Sequence, residues 1–352
     1  MTLATITYKC PNCDAGLVFS PESQDFFCEY CQSHFTKSEL DGLNPDKQSD
    51  EKVSTENAEK SETLVLYKCP ACGAEVITES TTVATFCYYC HNPVILEGKL
   101  EGDFKPDGFI PFKKTREEIT EEFLKWIRAK KFVPRGFFCK SNIEKLSGVY
   151  YPYWVTDYRA DGDLTATATK VRTWSSGDTM YTETSYYDAR RSGDLDIKHI
   201  TNKALKSADV ELAEAVLPYD YGNIKKFESG YLSGFLAEKR DIDSSEVKAT
   251  AEQAMRNYAK DILTNDINGY SSVTVKDLNL KVKDENWRYV LLPVWTLTYK
   301  GRDNKIYYYA VNGQTGEVVG KLPLDKKKLL FLFLGLFFGV GLIAFLGGWF
   351  FL

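Results

Sequence analysis

Histidine is scarce in this chain: three among 352 residues, with only His199 between residues 104 and 324. A lone histidine in a strand-like run reads as a structural residue. Also missing are the G-x-x-x-x-G-K-[ST] phosphate loop, the H-E-x-x-H zinc helix and the G-x-S-x-G nucleophile turn. The stretch Gly339-x-Gly341-x-x-Ala344 matches a loose dinucleotide pattern. It lies inside an apolar run, where the strand, turn and helix that the pattern requires cannot form. These absences lead to the expectation of a non-enzymatic protein.

Basic side chains are nearly missing where the cysteines lie. Residues 1–35 hold Lys9 against Asp14, Glu22, Asp25 and Glu29, and residues 64–98 hold Lys68 against Glu75, Glu79 and Glu97. Binding to a phosphate backbone draws on several Lys and Arg, so these stretches have little to offer nucleic acid. The net charge of −5 gives no general attraction to phosphate or anionic lipid either.

Cysteine, by contrast, is patterned. Of nine, eight form two copies of one arrangement: Cys10-x2-Cys13 and Cys28-x2-Cys31, then Cys69-x2-Cys72 and Cys87-x2-Cys90. An offset of 59 relates the copies and also pairs Tyr8 with Tyr67, Pro11 with Pro70 and Phe27 with Phe86. Two residues between cysteines let one tight turn present both sulfurs to an ion, and a hairpin brings the second turn opposite. A unit this small cannot bury enough apolar surface to fold alone, so the metal supplies the difference. The expectation is two ribbons, residues 1–35 and 64–98, each holding one structural Zn2+; iron accepts the same four thiolates. His34 and His91 lie beside the second pairs and read as surface residues. Cys139 reads as a buried free thiol.

Residues 36–63 contain no aromatic side chain and are rich in Ser, Glu, Asp, Lys and Asn, which predicts a flexible acidic linker. Residues 104–324 alternate helix and strand signals. Thr115-Arg-Glu-Glu118 is a capping box ahead of Ile119, Phe123, Trp126 and Ile127 at helical spacing. A second helix is expected from about Asp243, with Val247, Ala251, Ala254 and Tyr258 on one side. Val149-Tyr-Tyr-Pro152-Tyr-Trp154 echoes Val290-Leu-Leu-Pro293-Val-Trp295 at an offset of 141. The expectation is an α+β region of two related halves, 104–236 and 237–324, each with its own antiparallel sheet. Both prolines would sit at a strand start, an edge or a bulge, and Asp161 and Asp163 in a polar turn. The aromatics from Tyr150 to Trp154 read as sheet core in preference to a ligand groove.

Charge is absent from Leu329 to Leu352. As a helix this run spans about 36 Å, enough for a hydrocarbon core. With Lys326, Lys327 and Lys328 on its N-terminal side, the expectation is a single-pass tail anchor in the cell membrane, residues 329–352, with the preceding bulk cytoplasmic. Gly335-x3-Gly339 would allow self-association of such helices.

The paired C-P-x-C ribbons, IPFKKTREEITEEFLKWI, GVYYPYW, YLSGF, LLPVW and YAVNGQTGEVVGKLP together resemble the YdjG-type membrane proteins of Gram-positive bacteria, which carry TFIIB-type zinc ribbons. The resemblance implies an adaptor that recruits a peripheral partner, an SPFH-domain protein or a relative of phage-shock protein A, in membrane-stress defence. The alternative is a membrane-tethered zinc-ribbon protein that binds nucleic acid.

Overall fold

The structure is a computed structural model, and residues 8–43, 64–69, 75–87, 93–96, 102–134, 146–206, 216–300, 306–320 and 324–351 are described. Strands β1 (Val18–Ser20), β2 (Asp25–Phe27) and β3 (His34–Phe35) form a three-stranded antiparallel sheet. Helix α1 (Lys37–Leu43) follows, where a structureless linker was expected. Its start was legible as Thr36-x-x-Glu39: the Thr36 N–H donates to the Glu39 carboxylate at 2.7 Å, and the Thr36 hydroxyl receives the Glu39 N–H at 3.4 Å. The rest of that stretch, 44–63, lies outside the described residues, as does Cys139.

The second ribbon is not a free-standing module. β4 (Leu64–Lys68) and β5 (Glu75–Glu79) pair with each other, but β6 (Thr82–Phe86) and β7 (Pro93–Ile95) belong to a ten-stranded sheet. Val83 and Ala84 are fully buried there, so the apolar side of this hairpin finds its cover in the larger core.

The large sheet continues with β8 (Gly108–Phe109), then helix α2 (Arg116–Arg128), then two long strands, β9 (Ser147–Ser176) and β10 (Thr179–Lys203). Gly177 supplies the positive φ, 61°, that a two-residue hairpin loop of primed type needs at its first position. β11 (Lys225–Lys226) and β12 (Leu236–Glu238) precede helix α3 (Ser244–Asn265), and β13 (Ser272–Lys300), β14 (Ile306–Asn312) and β15 (Val318–Gly320) complete the sheet. α2 starts as the sequence predicts. Thr115 Oγ1 accepts the Glu118 N–H at 3.2 Å, and the Glu118 carboxylate accepts the Thr115 N–H at 2.8 Å. That backbone donor, with Lys114 beside it, holds the Glu118 carboxyl below its ordinary value. The cap therefore contributes fully above the usual Glu range and is lost as pH falls through the lowered native value. Thr115→Ala is expected to cost about 1 kcal/mol in thermal unfolding, with the difference from the native chain shrinking at low pH.

The expectation of two halves with separate antiparallel sheets is corrected: β9 and β13 are neighbours in one mixed sheet. They run antiparallel, with Tyr150 opposite Pro293 and Pro152 opposite Leu291. Each long strand also takes a short parallel partner. Val149 and Tyr150 pair with β12, and Val290 and Leu291, 141 residues on, pair with β8. Each then changes to an antiparallel neighbour, β10 from Tyr153 and β14 from Val294. Both prolines occupy the gap between these neighbours, where the ladder needs no N–H; this is how a proline is tolerated in a central strand. The polar turn expected at Asp161 and Asp163 is likewise strand. β9 runs through it, with Asp161 bridged to Lys283 at 2.6 Å and Asp163 to Arg190.

Two of the cores against the sheet carry α3 and the first ribbon. α3 covers one face of the β10–β9–β13 blade, burying Ala251, Met255, Ala259 and Leu263 against Leu164, Ala166, Leu195 and Ile197. The other core gathers Phe109, Phe112, Tyr150, Phe235 and Trp295 and is continuous with Leu17, Phe19 and Phe26 of the first ribbon. Tyr150, Tyr153 and Trp154 are buried, as the sheet-core reading requires.

Helix α4 (Lys326–Phe351) closes the described chain. Among the described residues, no helix is long and apolar enough to cross a membrane. This finding replaces the expected transmembrane tail anchor and the single-pass membrane location derived from it. Within the lysine run, Lys328 Nζ donates to the Val133 carbonyl at 2.7 Å, and the Lys327 backbone N–H is capped by the Asp325 carboxylate at 3.1 Å. Within the one chain, a Cβ placed on Gly335 or Gly339 meets nothing within 4 Å.

Candidate metal centre

The two turns that carry the first four cysteines share one geometry. In the first, the Cys10 N–H donates to the Ala15 carbonyl at 2.7 Å and the Cys10 carbonyl accepts the Asp14 N–H at 2.8 Å. In the second, the Cys28 N–H donates to Ser33 and its carbonyl accepts the Gln32 N–H, both at 2.9 Å. Each turn closes through a left-handed residue four positions after its first cysteine, Asp14 at φ 62° and Gln32 at φ 59°. Such a conformation is uncommon outside glycine, and more so for Gln than for Asp.

The β1–β2–β3 sheet sets these turns face to face. The Sγ atoms of Cys10 and Cys31 lie 3.5 Å apart, as do those of Cys13 and Cys28, and all four fall within 4.8 Å of one another. A tetrahedron with Zn–S bonds of about 2.3 Å has sulfur edges of about 3.8 Å. The cluster brackets that edge and is far too open for a disulfide of about 2.05 Å. Four sulfurs, with no fifth donor among the described residues, make a closed, structural coordination set.

Electrostatics differ across the cluster. Burial pushes the Cys10 thiol up. At Cys13 the Ala15 N–H pulls downward, but the neighbouring thiols, Cys28 above all, outweigh it and lift the group to about 12. The Ser33 hydroxyl and N–H favour the Cys31 thiolate and bring it to about 6. Cys31 thus supplies a ready thiolate near neutral pH, and a bound cation would deprotonate the others. His34 is no ligand: its Nδ1 lies 3.1 Å from the Asp25 carboxylate, and its ring packs on Phe27.

The ribbon is stitched to the body along Ser229–Phe235. The Phe19 N–H donates to the Ser233 carbonyl at 2.9 Å, and the Ser233 hydroxyl returns a bond to the Leu17 carbonyl. Gln24 Nε2 reaches the Phe112 carbonyl at 2.8 Å. Tyr231 packs its ring on Phe19 at 5.1 Å and Phe26 at 5.6 Å while touching Phe109 at 4.9 Å. Two glycines are forced here. A Cβ on Gly230 would meet Tyr8 at 2.3 Å, and Gly234 holds φ 92° with Val18 at 3.0 Å. This seat is the Y-L-S-G-F string at 231–235, which the sequence offers only as a motif without a role.

The second cysteine set is placed in part. Cys69 and Cys87 are buried together with Tyr67, Val94 and Leu96, while Cys72 and Cys90 lie outside the described residues. Among the described residues, one four-cysteine cluster is therefore seen where two were expected. His199 forms no part of a site. It sits at a bulge of β10 with φ 62°, stacked on Tyr221 at 4.5 Å, its N–H on Asp157 at 2.8 Å.

No family model matches the chain, and no solved structure matches it. Among curated proteins it is similar to the uncharacterized protein YdjG of Bacillus subtilis (strain 168), with 33% identity over 331 residues, 94% of each chain. At that identity across nearly the whole length of both proteins, this chain belongs to the YdjG family.

Proposed function

We propose that this protein is a non-enzymatic adaptor whose first ribbon, closed by a structural Zn2+ on Cys10, Cys13, Cys28 and Cys31, is a fixed part of a protein-binding surface. The observation that carries this reading is the four-thiol cluster backed by the Tyr231 seat, a set with every ligand position taken and no room for substrate. A second Zn2+ on Cys69, Cys72, Cys87 and Cys90 is part of the proposal. The partner implied by the resemblance is an SPFH-domain or phage-shock type protein. The sparse positive charge around the ribbon supports a protein over a nucleic acid as its ligand.

The test combines metal content with binding. The purified chain should hold two zinc ions and co-purify with an SPFH-domain protein encoded by the same organism. Cys13→Ser should lower the zinc content by one and weaken that partnership. A full zinc complement in the variant, partner binding that ignores the loss, or a salt-dependent shift of DNA at physiological ionic strength would each overturn the reading.

A further inference from the structure

The outer edge of β10 is open. Among the described residues β10 pairs with β9 alone, and from Thr179 to Ile197 that pairing runs without a register shift or a proline. The free edge of β13 on the other side of the blade is interrupted twice, between Val275 and Asp277 and between Val282 and Asp284. Bulges of that kind blunt an edge against further pairing, and β10 has none before Ile197.

We propose that the occupant of this edge is a second copy of the chain, joined through antiparallel pairing of β10 with β10 about a two-fold axis at Ala189. The strand is its own complement in that register. Asp188 falls opposite Arg190 of the second copy, twice by symmetry, and Tyr187 falls opposite Arg191. Tyr186 meets Ser192, Thr184 meets Asp194, and no two like charges face each other between Tyr181 and Ile197. A slip that centres the axis one residue away sets Asp188 against Asp188, or Arg190 against Arg190, which is destabilising. Asp188 is 88% exposed in the single chain, leaving it free to take a second cation beside Lys276. Backbone polarity agrees. The hairpin turn at Gly177 and the Thr179–Ser176 pairing aim the N–H and C=O groups of the even-numbered residues outward, and this register pairs even with even.

A separate observation points to the same arrangement. Lys248 and Arg256 of α3 reach β13, to Glu285 at 2.7 Å and the Leu278 carbonyl at 3.0 Å. Just past the helix, Asp266 reaches β10 at Arg191. On that β10 flank Tyr258 and Ile262 stand 56% and 48% exposed. α3 ends near Arg191, so the hairpin tip beyond it is bare on the same face, where Trp174 and Tyr181 stack at 5.6 Å in the open. The Ala189 register sets Tyr181 opposite Ile197 of the second copy, a residue that lies beneath that copy's α3. The bare tip of each chain then lies along the apolar α3 flank of the other. Two exposed aromatic patches on one chain are thereby covered by one symmetric contact.

The full-length chain carries the test. Under mild oxidation, Ala189→Cys should give a reducible dimer well above the native background, because the axis holds the two Cα atoms within disulfide reach. Ser185→Cys should not, since its own copy lies about 27 Å away along the strand. Asp188→Arg alone and Arg190→Asp alone should each weaken self-association by about thirtyfold or more, whereas an equimolar mixture of the two should pair as tightly as the native chain. Failure of Ala189→Cys to crosslink above background would overturn the proposal. So would association indifferent to both charge reversals, or a mixture no tighter than its components.

Discussion

Cys28→Ser is expected to release the first ribbon from the body while leaving the rest of the fold standing. The reasoning is one of scale. A structural Zn2+ contributes on the order of 10–16 kcal/mol to a ribbon-sized unit, comparable to or larger than the whole stability of an ordinary domain. With one thiolate removed, the β1–β2–β3 sheet cannot be held by Leu17, Phe19 and Phe26 alone. The blade under α3 has its own core, as does the cluster of Ile110, Tyr153, Val290 and Leu292, so neither depends on the ribbon. The readout is amide hydrogen exchange: the Phe19 N–H, bound to the Ser233 carbonyl, should lose its protection, while amides of β9 and β13 near Trp154 and Tyr289 keep theirs. Chelation of the native chain should reproduce the pattern. Retained protection at Phe19 in metal-free protein would show that packing, not metal, holds the ribbon.

What the sequence made legible follows the range of the interactions. The metal cluster is local: Cys-x2-Cys turns joined by one hairpin can meet only each other, so spacing alone brought Cys10, Cys13, Cys28 and Cys31 together. The start of α2 at Thr115 is local as well. The seat of the ribbon is not. Ser233 reaches Leu17 across more than two hundred residues, and no periodicity in Y-L-S-G-F encodes that distance. The single mixed sheet was hidden for the same reason. The 141-residue echo was visible, yet whether two similar strands head separate sheets or lie side by side depends on partners such as β8 and β12, each only two or three residues long. Turn composition misled at Asp161 and Asp163, because each aspartate finds a cation on a neighbouring strand and β9 runs on unbroken. The apolar run after Lys328 was read from its length, its hydropathy and its flanking lysines, none of which carries information about Lys328 reaching the Val133 carbonyl.

Phe112 is where these long-range contacts converge, and Phe112→Ala should be the most damaging single change in the body. Its ring is fully buried, stacked on Phe235 at 4.2 Å and set edge-on to Tyr150 at 5.0 Å and Trp295 at 5.2 Å. A Cβ on Gly148 would come within 3.3 Å of the ring, and one on Gly313 within 2.7 Å, so the backbone has been brought in close to enclose it. Truncation leaves a cavity that two β-strands and a tight turn cannot collapse to fill, and Phe→Ala changes at such sites cost about 3–5 kcal/mol. Phe235 would lose its stacking partner, and it directly follows Gly234 in the ribbon seat, so the first ribbon should loosen too. Denaturant unfolding should show the midpoint fall with little change in slope, accompanied by faster exchange at Phe19. Phe112→Leu retains most of the volume and should recover more than half of the loss. A Phe112→Ala variant within about 1 kcal/mol of the native chain would mean that the aromatic cluster is not a common foundation for sheet and ribbon.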